Sequence, residues 1–268
     1  MNMNTRNAVA LHARKTPGFE ARVAHAVALL REAADEHADH IVQASSLGVE
    51  GMVLTDMIAR HRLPIAVATL DTGALHAETL AMLPRIEQRY GLQVEVHRPR
   101  QEAVVHFLRR HGEHAMRESV DLRKACCAVR KLEPMECLLH GRSAWITGLR
   151  REQSEQRGNT PFRDNDAGGR ERFYPLADWS LKDIWHYVEM HEVPYNTLHD
   201  QFYPSIGCAP CTRGVALGED ERSGRWWWEG DQNKECGLHG PSHSPEGGVE
   251  DRTEPAPMKM TWPTSGCR

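Results

Sequence analysis

The sequence lacks a long hydrophobic run and an excess of either charge. No apolar stretch approaches the roughly 20 residues that span a bilayer, and the first residues carry no hydrophobic core typical of a secretory signal. We therefore expect a cytoplasmic protein that does not bind membranes. The net charge of −4 provides no general attraction for nucleic acid, so any anion-binding site has to be local.

Two common phosphate-binding motifs are also absent. The fingerprint G-x-G-x-x-G would indicate a Rossmann dinucleotide fold, and G-x-x-x-x-G-K-S/T would indicate a P-loop, but neither occurs. Structural disulfides are rare in a reducing cytoplasm. The seven cysteines are therefore expected to be ligands, catalysts or buried thiols rather than cross-links.

Short apolar segments alternate with helical periodicity through most of the chain. Strand-like runs such as HIVQA, IAVATL, LQVEVHRP and SAWITG are separated by segments whose apolar residues recur at helical spacing. This alternation predicts an α/β fold whose mainly parallel sheet is covered by helices on both faces. We expect this nucleotide-binding domain to span residues 21–205, after a poorly ordered extension over residues 1–20.

The chain after this domain changes in composition. Residues 206–239 are rich in glycine, proline, charge and tryptophan, which predicts loops and short helices packed on the domain. The consecutive tryptophans of GRWWWE are expected to pack within this segment, with stacking on a base as the alternative. Residues 240–268 are dense in Pro, Gly, Ser and Thr without a period, which predicts a disordered tail.

Four cysteines form two unusual pairs. Cys126 and Cys127 are adjacent, and Cys208 and Cys211 form a C-x-x-C motif. Four thiolates could hold one zinc ion or an iron–sulfur cluster. Neighbouring side chains can each reach a different iron of a cubic cluster, whereas one zinc ion would require both to converge on a point. A 4Fe–4S cluster, one per chain, is favoured over zinc, and unliganded core thiols are the third interpretation.

Cys236 differs from these four because it lies in a polar segment, NKECGLH, close to Lys234. A neighbouring cation lowers the pKa of a thiol and makes the thiolate available as a nucleophile. Cys236 is thus a candidate nucleophile, and an exposed thiol without a role is the alternative on these residues alone.

Two strand ends carry residues typical of anion-binding turns. In IVQASSLGVEG, backbone amides and a helix dipole can face an anion at the turn formed by Ser45, Ser46 and Gly48. In LDTGALHAET, the next strand ends with Asp71, Thr72 and Gly73. Ligands of open α/β sheets bind at this edge. Each signal is weak alone, since many α/β connections use Ser and Gly only to turn.

Basic residues follow several of these motifs: Arg130, Lys131, Arg150, Arg151, Arg157, Arg222 and Arg225. Forked guanidinium groups suit phosphate and sulfate. Most surface arginines are merely solvated, so it is the position after a motif that supports the prediction.

Together, these residues resemble the cluster-containing assimilatory adenylylsulfate (APS) reductases of the phosphoadenylylsulfate (PAPS) reductase family. The matching blocks are SSLG, LDTGALHAET, CCAVRKLEP, TGLRREQS, YPLADWS, GCAPCTR, GRWWWE and KECGLH, over roughly residues 40–239. The resemblance implies an adenine nucleotide α-hydrolase-like fold with a mobile C-terminal segment. It also implies a 4Fe–4S cluster on Cys126, Cys127, Cys208 and Cys211.

The resemblance further implies the roles of individual residues. Cys236 would take sulfonate from APS as an S-sulfocysteine, with AMP leaving, and thioredoxin or glutaredoxin would then release sulfite for cysteine biosynthesis. A homo-oligomer is compatible with this pattern. Lys131, Arg157, Arg222 and Arg225 would hold phosphate and sulfate. The full implied substrate-binding set is Ser45, Ser46, Gly48, Leu70, Asp71, Thr72, Gly73, Leu75, Arg130, Lys131, Gly148, Arg157, Arg222, Arg225 and His239.

Two departures and three rival functions accompany this prediction. Gly51 stands where the family usually has aspartate, with little expected effect, and the chain continues beyond His239, which could hinder closure of the Cys236 segment. A PAPS reductase typically lacks the four cysteines. An ATP-using adenylyl transferase normally carries an S-G-G-x-D-S turn, which SSLGVEG is not. A zinc-stabilised module without catalysis is the third rival.

Overall fold

The structure, a computed structural model, describes residues 7–216 and 218–230. Its helices are α1 Ala8–His12, α2 Phe19–His37, α3 Val49–Arg60, α4 Ala77–Leu80, α5 Met82–Tyr90, α6 Gln101–His111, α7 Val120–Cys127, α8 Glu133–Leu139 and α9 Leu181–His191. A π-helix, Ala128–Leu132, joins α7 to α8, and 3₁₀ turns occur at Ala38–His40, Ala115–Arg117, Arg151–Gln153, Glu155–Arg157, Thr197–Gln201 and Ala209–Cys211. No described helix combines the length and apolar character that a membrane crossing requires.

The strands form one sheet in the order β3-β2-β1-β4-β6-β5. Their bounds are β1 Ile41–Ser45, β2 Ala66–Leu70, β3 Glu95–His97, β4 Ala144–Ile146, β5 Arg163–Asn165 and β6 Glu171–Phe173. All neighbours pair in parallel except β5 and β6, which form an antiparallel hairpin. Parallel neighbours require crossover connections, and here helices provide them. The predicted α/β fold with a mainly parallel sheet is confirmed.

Alternate residues of the central strands point to two apolar cores. Ile41 of β1 belongs to the larger core, which α2, α3 and α9 complete, whereas Val42 belongs to a second core with α8. Strand β4 repeats this pattern, since Ala144 and Ile146 join the first core and Trp145 joins the second. Successive side chains of a strand face opposite sides of the sheet, so both faces are covered by helices.

Helix α3 is fixed by a buried carboxylate. Asp56, 1% exposed, accepts hydrogen bonds from the Tyr187 hydroxyl at 2.8 Å and the Tyr90 hydroxyl at 3.1 Å, and it pairs with Arg60. A buried carboxylate is tolerated only with partners of this kind. These contacts tie α3 to α5 and α9, which sets the position of its first turn beside the cleft described below.

Residues 7–20 pack against the domain instead of forming the expected loose extension. Ala8 is buried at the start of α1, and its amide donates to Asp200 Oδ1 at 2.8 Å. Phe19, 1% exposed, begins α2 and packs edge-on against Trp179 with ring centroids 5.7 Å apart. The predicted domain boundary therefore falls inside α2, and poor order is the wrong prediction for this segment. The first part of the predicted extension lies outside the described residues.

The chain after α9 folds back on the cysteine pairs. Cys208 forms an antiparallel bridge with Leu75. Trp226, 1% exposed, donates its backbone amide to the Cys211 carbonyl at 3.1 Å. These contacts hold the segment against the carboxyl edge of the sheet. Residues 231–268, which include the predicted tail, lie outside the described part of the chain.

Candidate active site

A cleft opens where β1, β2 and β4 end, at the carboxyl edge of the sheet. It is lined by the turns that follow these strands and by residues 204–208 and 221–226 of the C-terminal part. This is the edge at which open α/β sheets bind ligands. The predicted site residues that line the cleft are Ser45, Ser46, Gly48, Leu70, Thr72, Leu75, Lys131, Gly148, Arg157, Cys208, Arg222 and Arg225.

The turn after β1 presents the start of α3 to the cleft. Ser45 Oγ accepts a hydrogen bond from the Leu47 amide at 3.1 Å, and Leu47 itself is fully buried with a φ of +58°. Gly48 is the N-cap of α3 and has no side chain that could satisfy the first amides of the helix. These amides and the positive end of the helix dipole therefore favour an anion in the cleft.

Two glycines let the chain approach itself closely around this turn. A Cβ at Gly51 would lie 2.5 Å from Ser45 Oγ, so the departure from the family pattern leaves room for the Ser45 hydroxyl. A Cβ at Gly148 would lie 2.8 Å from Glu50 Cβ and 3.1 Å from the Glu50 carbonyl carbon. The end of β4 can therefore touch the first turn of α3 only because position 148 is glycine.

Three predicted binding residues lie beside the cleft rather than in its lining. Asp71 accepts hydrogen bonds from the Gly73 amide at 3.0 Å and from Arg98 Nε at 2.9 Å. Gly73 has a φ of +67°, a conformation that suits glycine. Arg130 donates to the Thr72 carbonyl at 2.7 Å. These three residues shape the turn after β2, and their predicted role in substrate binding stays a prediction.

The four paired cysteines meet in one buried cluster beside the cleft. Each is 7% exposed and none is in a disulfide. They share an apolar environment with Phe107, Met116 and Trp226. Cys208 also lines the cleft, and the Thr72 hydroxyl lies 3.2 Å from its sulfur. The fold thus brings together cysteine pairs that are remote in sequence, and we call Cys126, Cys127, Cys208 and Cys211 the cysteine quartet.

The quartet requires a compensating positive charge to ionise. Burial raises the pKa of Cys126. Burial also raises the pKa of Cys211 to about 12, and the charges of Cys208 and Cys127 add to that rise. Lys131 acts in the opposite direction on the pKa of both thiols. A metal centre would supply the missing positive charge, because thiolates are the form that binds metals.

The positions of the four sulfur atoms bear on the kind of metal centre that the quartet could hold. A tetrahedral zinc ion with bonds of about 2.3 Å holds its sulfur ligands about 3.8 Å apart. Within the described residues, no three sulfurs of the quartet lie within 4.8 Å of one another. Cys126 and Cys127 are also successive on α7, where side chains point about 100° apart. The two adjacent thiols therefore point in different directions.

Positive charge converges on the cleft from separate parts of the chain. Lys131 lies in the π-helix after the adjacent cysteines, and Arg157 lies in a 3₁₀ turn. Arg222 and Arg225 come from the C-terminal segment. Arg157 is 9% exposed and Arg225 is 7% exposed, so their charges act in a poorly hydrated environment. These cations, in a chain of net charge −4, indicate a ligand with more than one anionic group.

Several polar residues that line the cleft were not predicted from the sequence. Glu50 and Gln153 stand inside matched motifs or next to them, which was a usable signal. His199 carried no local signal at all; burial lowers its pKa to about 4, so its ring is neutral near pH 7. The missed polar residues include Glu50, Thr79, Gln153, His199 and Glu221.

Arg150 was predicted among the anion-binding arginines, but carboxylates occupy it. Its side chain is fully buried and binds Glu50 at 3.0 Å and Glu221 at 2.8 and 2.9 Å. Burial raises the pKa of Glu221 to about 7 against the opposing effect of Arg150, and the Glu50 charge adds to the rise. Burial also disfavours the charged form of Glu50, but Arg150 holds the pKa of Glu50 below its usual value.

Cys236 and His239 lie outside the described residues. Their predicted roles as nucleophile and substrate ligand therefore stay predictions.

Comparison with known proteins identifies the family. Residues 40–214 match the phosphoadenosine phosphosulfate reductase domain. An adenosine 5′-phosphosulfate reductase of Allochromatium vinosum is 51% identical over 225 residues, which cover 84% of this chain and 88% of the relative. A protein of the same name from Burkholderia cepacia is 47% identical over 238 residues, which cover 88% and 93%.

Solved structures share the fold at low sequence identity. A PAPS reductase of Candida auris in complex with phosphate superposes with a TM-score of 0.60 at 23% identity, covering 74% of this chain and 98% of that one. An FMN adenylyltransferase of Candida glabrata with ATP gives a TM-score of 0.53 at 13% identity, covering 86% and 81%. From the matching domain, its relatives and the cleft at the strand ends, we conclude that the chain belongs to the phosphoadenosine phosphosulfate reductase family.

Proposed function

We propose that the protein reduces adenosine 5′-phosphosulfate (APS) to sulfite and AMP in assimilatory sulfate reduction. The observation that carries this proposal is the junction of the cleft and the cysteine quartet, since Cys208 belongs to both. A cleft with converging cations beside buried thiols suits an anionic nucleotide and a metal centre. Relatives named APS reductase at 51% and 47% identity support the same reaction.

The cleft offers separate partners to the parts of APS. The turn over residues 45–48 and the segment Leu70 to Leu75 would border the nucleotide, with the first amides of α3 near its phosphate. The four cleft-lining cations would hold the phosphate and sulfate groups. Neutralising the phosphate charge also stabilises AMP as the leaving group.

Replacing Gly148 with alanine is expected to weaken APS binding and lower stability by about 1–3 kcal/mol. The added methyl group would press on Glu50 and move the first turn of α3 away from the nucleotide. Thermal unfolding and the KM for APS measure the two effects. Gly230→Ala is the matched control, because a Cβ there meets nothing within 4 Å. An unchanged KM in Gly148→Ala would contradict the proposed position of the nucleotide.

Cys126, Cys127, Cys208 and Cys211 would hold a 4Fe–4S cluster, for which their burial and spread are suitable. When bound, the cluster supplies charge compensation for the thiolates and a cross-link between α7 and the C-x-x-C loop. Lys131 lowers the pKa of two quartet thiols and also lines the cleft, so it lies between the cluster ligands and the substrate.

The chemical step is assigned to Cys236. Its thiolate attacks the sulfur of the sulfate group, the bond from that sulfur to the bridging oxygen breaks, and AMP leaves with the electron pair. A thiolate of thioredoxin or glutaredoxin then attacks Cys236 Sγ and sulfite leaves. The second thiol of the reductant resolves the mixed disulfide. We place this reaction in the cytoplasm, where reduced dithiol proteins are available.

APS is expected to release sulfite much faster than PAPS when both are supplied with thioredoxin under anaerobic conditions. The reason is that the chain has the cysteine quartet, which PAPS reductases typically lack. This difference favours a nucleotide without a 3′-phosphate. The measurement is the rate of sulfite release as a function of the concentration of each nucleotide. Equal kcat/KM values for the two would refute the preference for APS, and no sulfite from either would refute the proposed function.

A further inference from the structure

Arg150 lies at the centre of a buried ion cluster that the proposed reaction does not use. Its side chain is 0% exposed, and among the described residues it is not part of the cleft lining. Nε donates to Glu50 at 3.0 Å, Nη1 donates to Glu152 at 3.1 Å, and Nη2 donates to both Glu221 oxygens at 2.8 and 2.9 Å. All three nitrogens bind carboxylates, so this guanidinium group is not offered to a ligand.

The carboxylates around Arg150 come from separate segments of the chain. Glu50 lies in the first turn of α3, Glu152 lies in the 3₁₀ turn after β4, and Glu221 lies in the C-terminal segment. Arg150 therefore connects the edge of the cleft formed by α3 to the edge formed by the C-terminal segment. Among these contacts, the Arg150–Glu221 pair is the one that reaches the C-terminal segment.

Gln153 extends this network to another cation of the cleft. Its Nε2 donates to Glu50 Oε1 at 3.0 Å, while its Oε1 accepts a hydrogen bond from Arg157 at 2.6 Å. The Arg150 amide also donates to Gln153 Oε1 at 3.2 Å. Arg157 is thus placed by the same cluster that holds Glu50.

Within the C-terminal segment, residues 221–229 are held by a buried arginine at each end. Glu221 binds Arg150 at its start, and Glu229 binds Arg123 at 2.8 Å at its end, with side chains 4% and 1% exposed. The two cleft-lining arginines of the segment lie between these clamps. The Arg123–Glu229 pair is bidentate and fixes direction as well as distance, whereas Arg150 binds Glu221 through Nη2 alone.

We propose that Arg150 is a positioning residue for the anionic substrate. By binding Glu221, it holds the segment that carries Arg222 and Arg225 beside the start of α3. This inference rests on the proposed reduction of APS. Without the Glu221 carboxylate, Arg150 keeps Glu50 and Glu152 but no longer holds the C-terminal segment, which can then move away from α3. A guanidinium group displaced by about 1 Å loses much of its effect on a bound anion.

Glu221→Ala in the cluster-loaded protein is expected to raise the KM for APS about tenfold, a change of ~1.4 kcal/mol, while kcat falls less. At saturating APS, the charge of the bound nucleotide attracts Arg222 and Arg225 back to the cleft. The variant therefore raises KM more than it lowers kcat. Glu221→Gln is expected to raise KM less, because its amide oxygen still accepts from Arg150. Sulfite release at increasing APS measures both constants, with iron content and thermal unfolding recorded for each variant.

Glu219→Ala is the matched control on the same segment. Glu219 binds Arg213 at 2.8 and 2.9 Å and, among the described residues, is not part of the cleft lining. The proposal is overturned if this control raises KM as much as Glu221→Ala, or if Glu221→Ala keeps KM within about twofold of the parent protein. The proposal is also overturned if Glu221→Ala lowers kcat while KM stays unchanged, because that result indicates fewer folded molecules. If the alanine variant loses iron, an unchanged KM in Glu221→Gln overturns it. A parent protein that makes no sulfite refutes the proposed function instead.

Discussion

Cys236→Ser is expected to reduce sulfite formation from APS by about 10⁴-fold or more. A serine hydroxyl is far less acidic than a thiol, and it forms no sulfur–sulfur bond that a dithiol protein could attack. Two measurements check this expectation under strict exclusion of air. Steady-state sulfite release should fall to background, and intact protein incubated with APS alone should gain the mass of one SO₃ in the parent but not in the variant.

The same variant separates the nucleophile from the metal ligands. Cys236→Ser should keep the iron content and visible absorption of the parent, because the quartet is complete without it. Cys267→Ser, which removes a thiol from the distal end of the chain, should keep both iron and activity. Loss of iron in Cys236→Ser would assign that sulfur to the metal centre and would contradict the division of roles.

Cys211→Ser is expected to abolish iron binding, visible colour and sulfite formation together. Serine is a weaker ligand than thiolate, and a metal site that is formed only in the folded chain contributes its binding energy to folding. The thermal midpoint should therefore fall, by about 2–4 °C for each kcal/mol of binding energy lost. The measurements are iron and sulfide analysis, an absorption spectrum and thermal unfolding of anaerobically purified protein.

Comparison with Cys236→Ser gives this second prediction its control. Both variants remove one sulfur, but only the quartet variant should lose iron. A colourless parent protein with one zinc ion per chain would contradict the cluster and favour the zinc-stabilised module. A Cys211→Ser variant that retains the full iron content would remove that residue from the ligand set.

The fold class followed from sequence because the central strands are buried on both faces. Ile41 and Val42 face different cores, and both are apolar, so β1 is recognisable as a continuous apolar run. The hairpin of β5 and β6 was not predicted, since each strand has three residues and most are charged. An ion pair between Arg172 and Asp164 at 2.7 Å helps to hold it. Helix α1 was missed because five residues show no helical period.

The sequence indicates which residue types stand near the cleft, but it does not give the direction of each side chain. Arg130 and Lys131 are consecutive, yet one donates to the Thr72 carbonyl while the other lines the cleft. Neighbouring side chains on a helix point about 100° apart, so a match to a basic motif does not say which one faces the ligand. The direction of Asp71 was likewise not encoded locally, because its carboxylate accepts from its own loop and from Arg98.

The sequence by itself determined the chemical groups of this protein: a quartet of cysteines, cations after several of the motifs, and strands that must form a covered parallel sheet. Only the tertiary structure decided which of these groups meet. Arg150 could have been a phosphate ligand by its position, but the packing of α3 and of the C-terminal segment brings Glu50 and Glu221 within 3.0 Å of it, so carboxylates take its donors. Distances between residues remote in sequence depend on how helices pack against the sheet, and no local pattern encodes them.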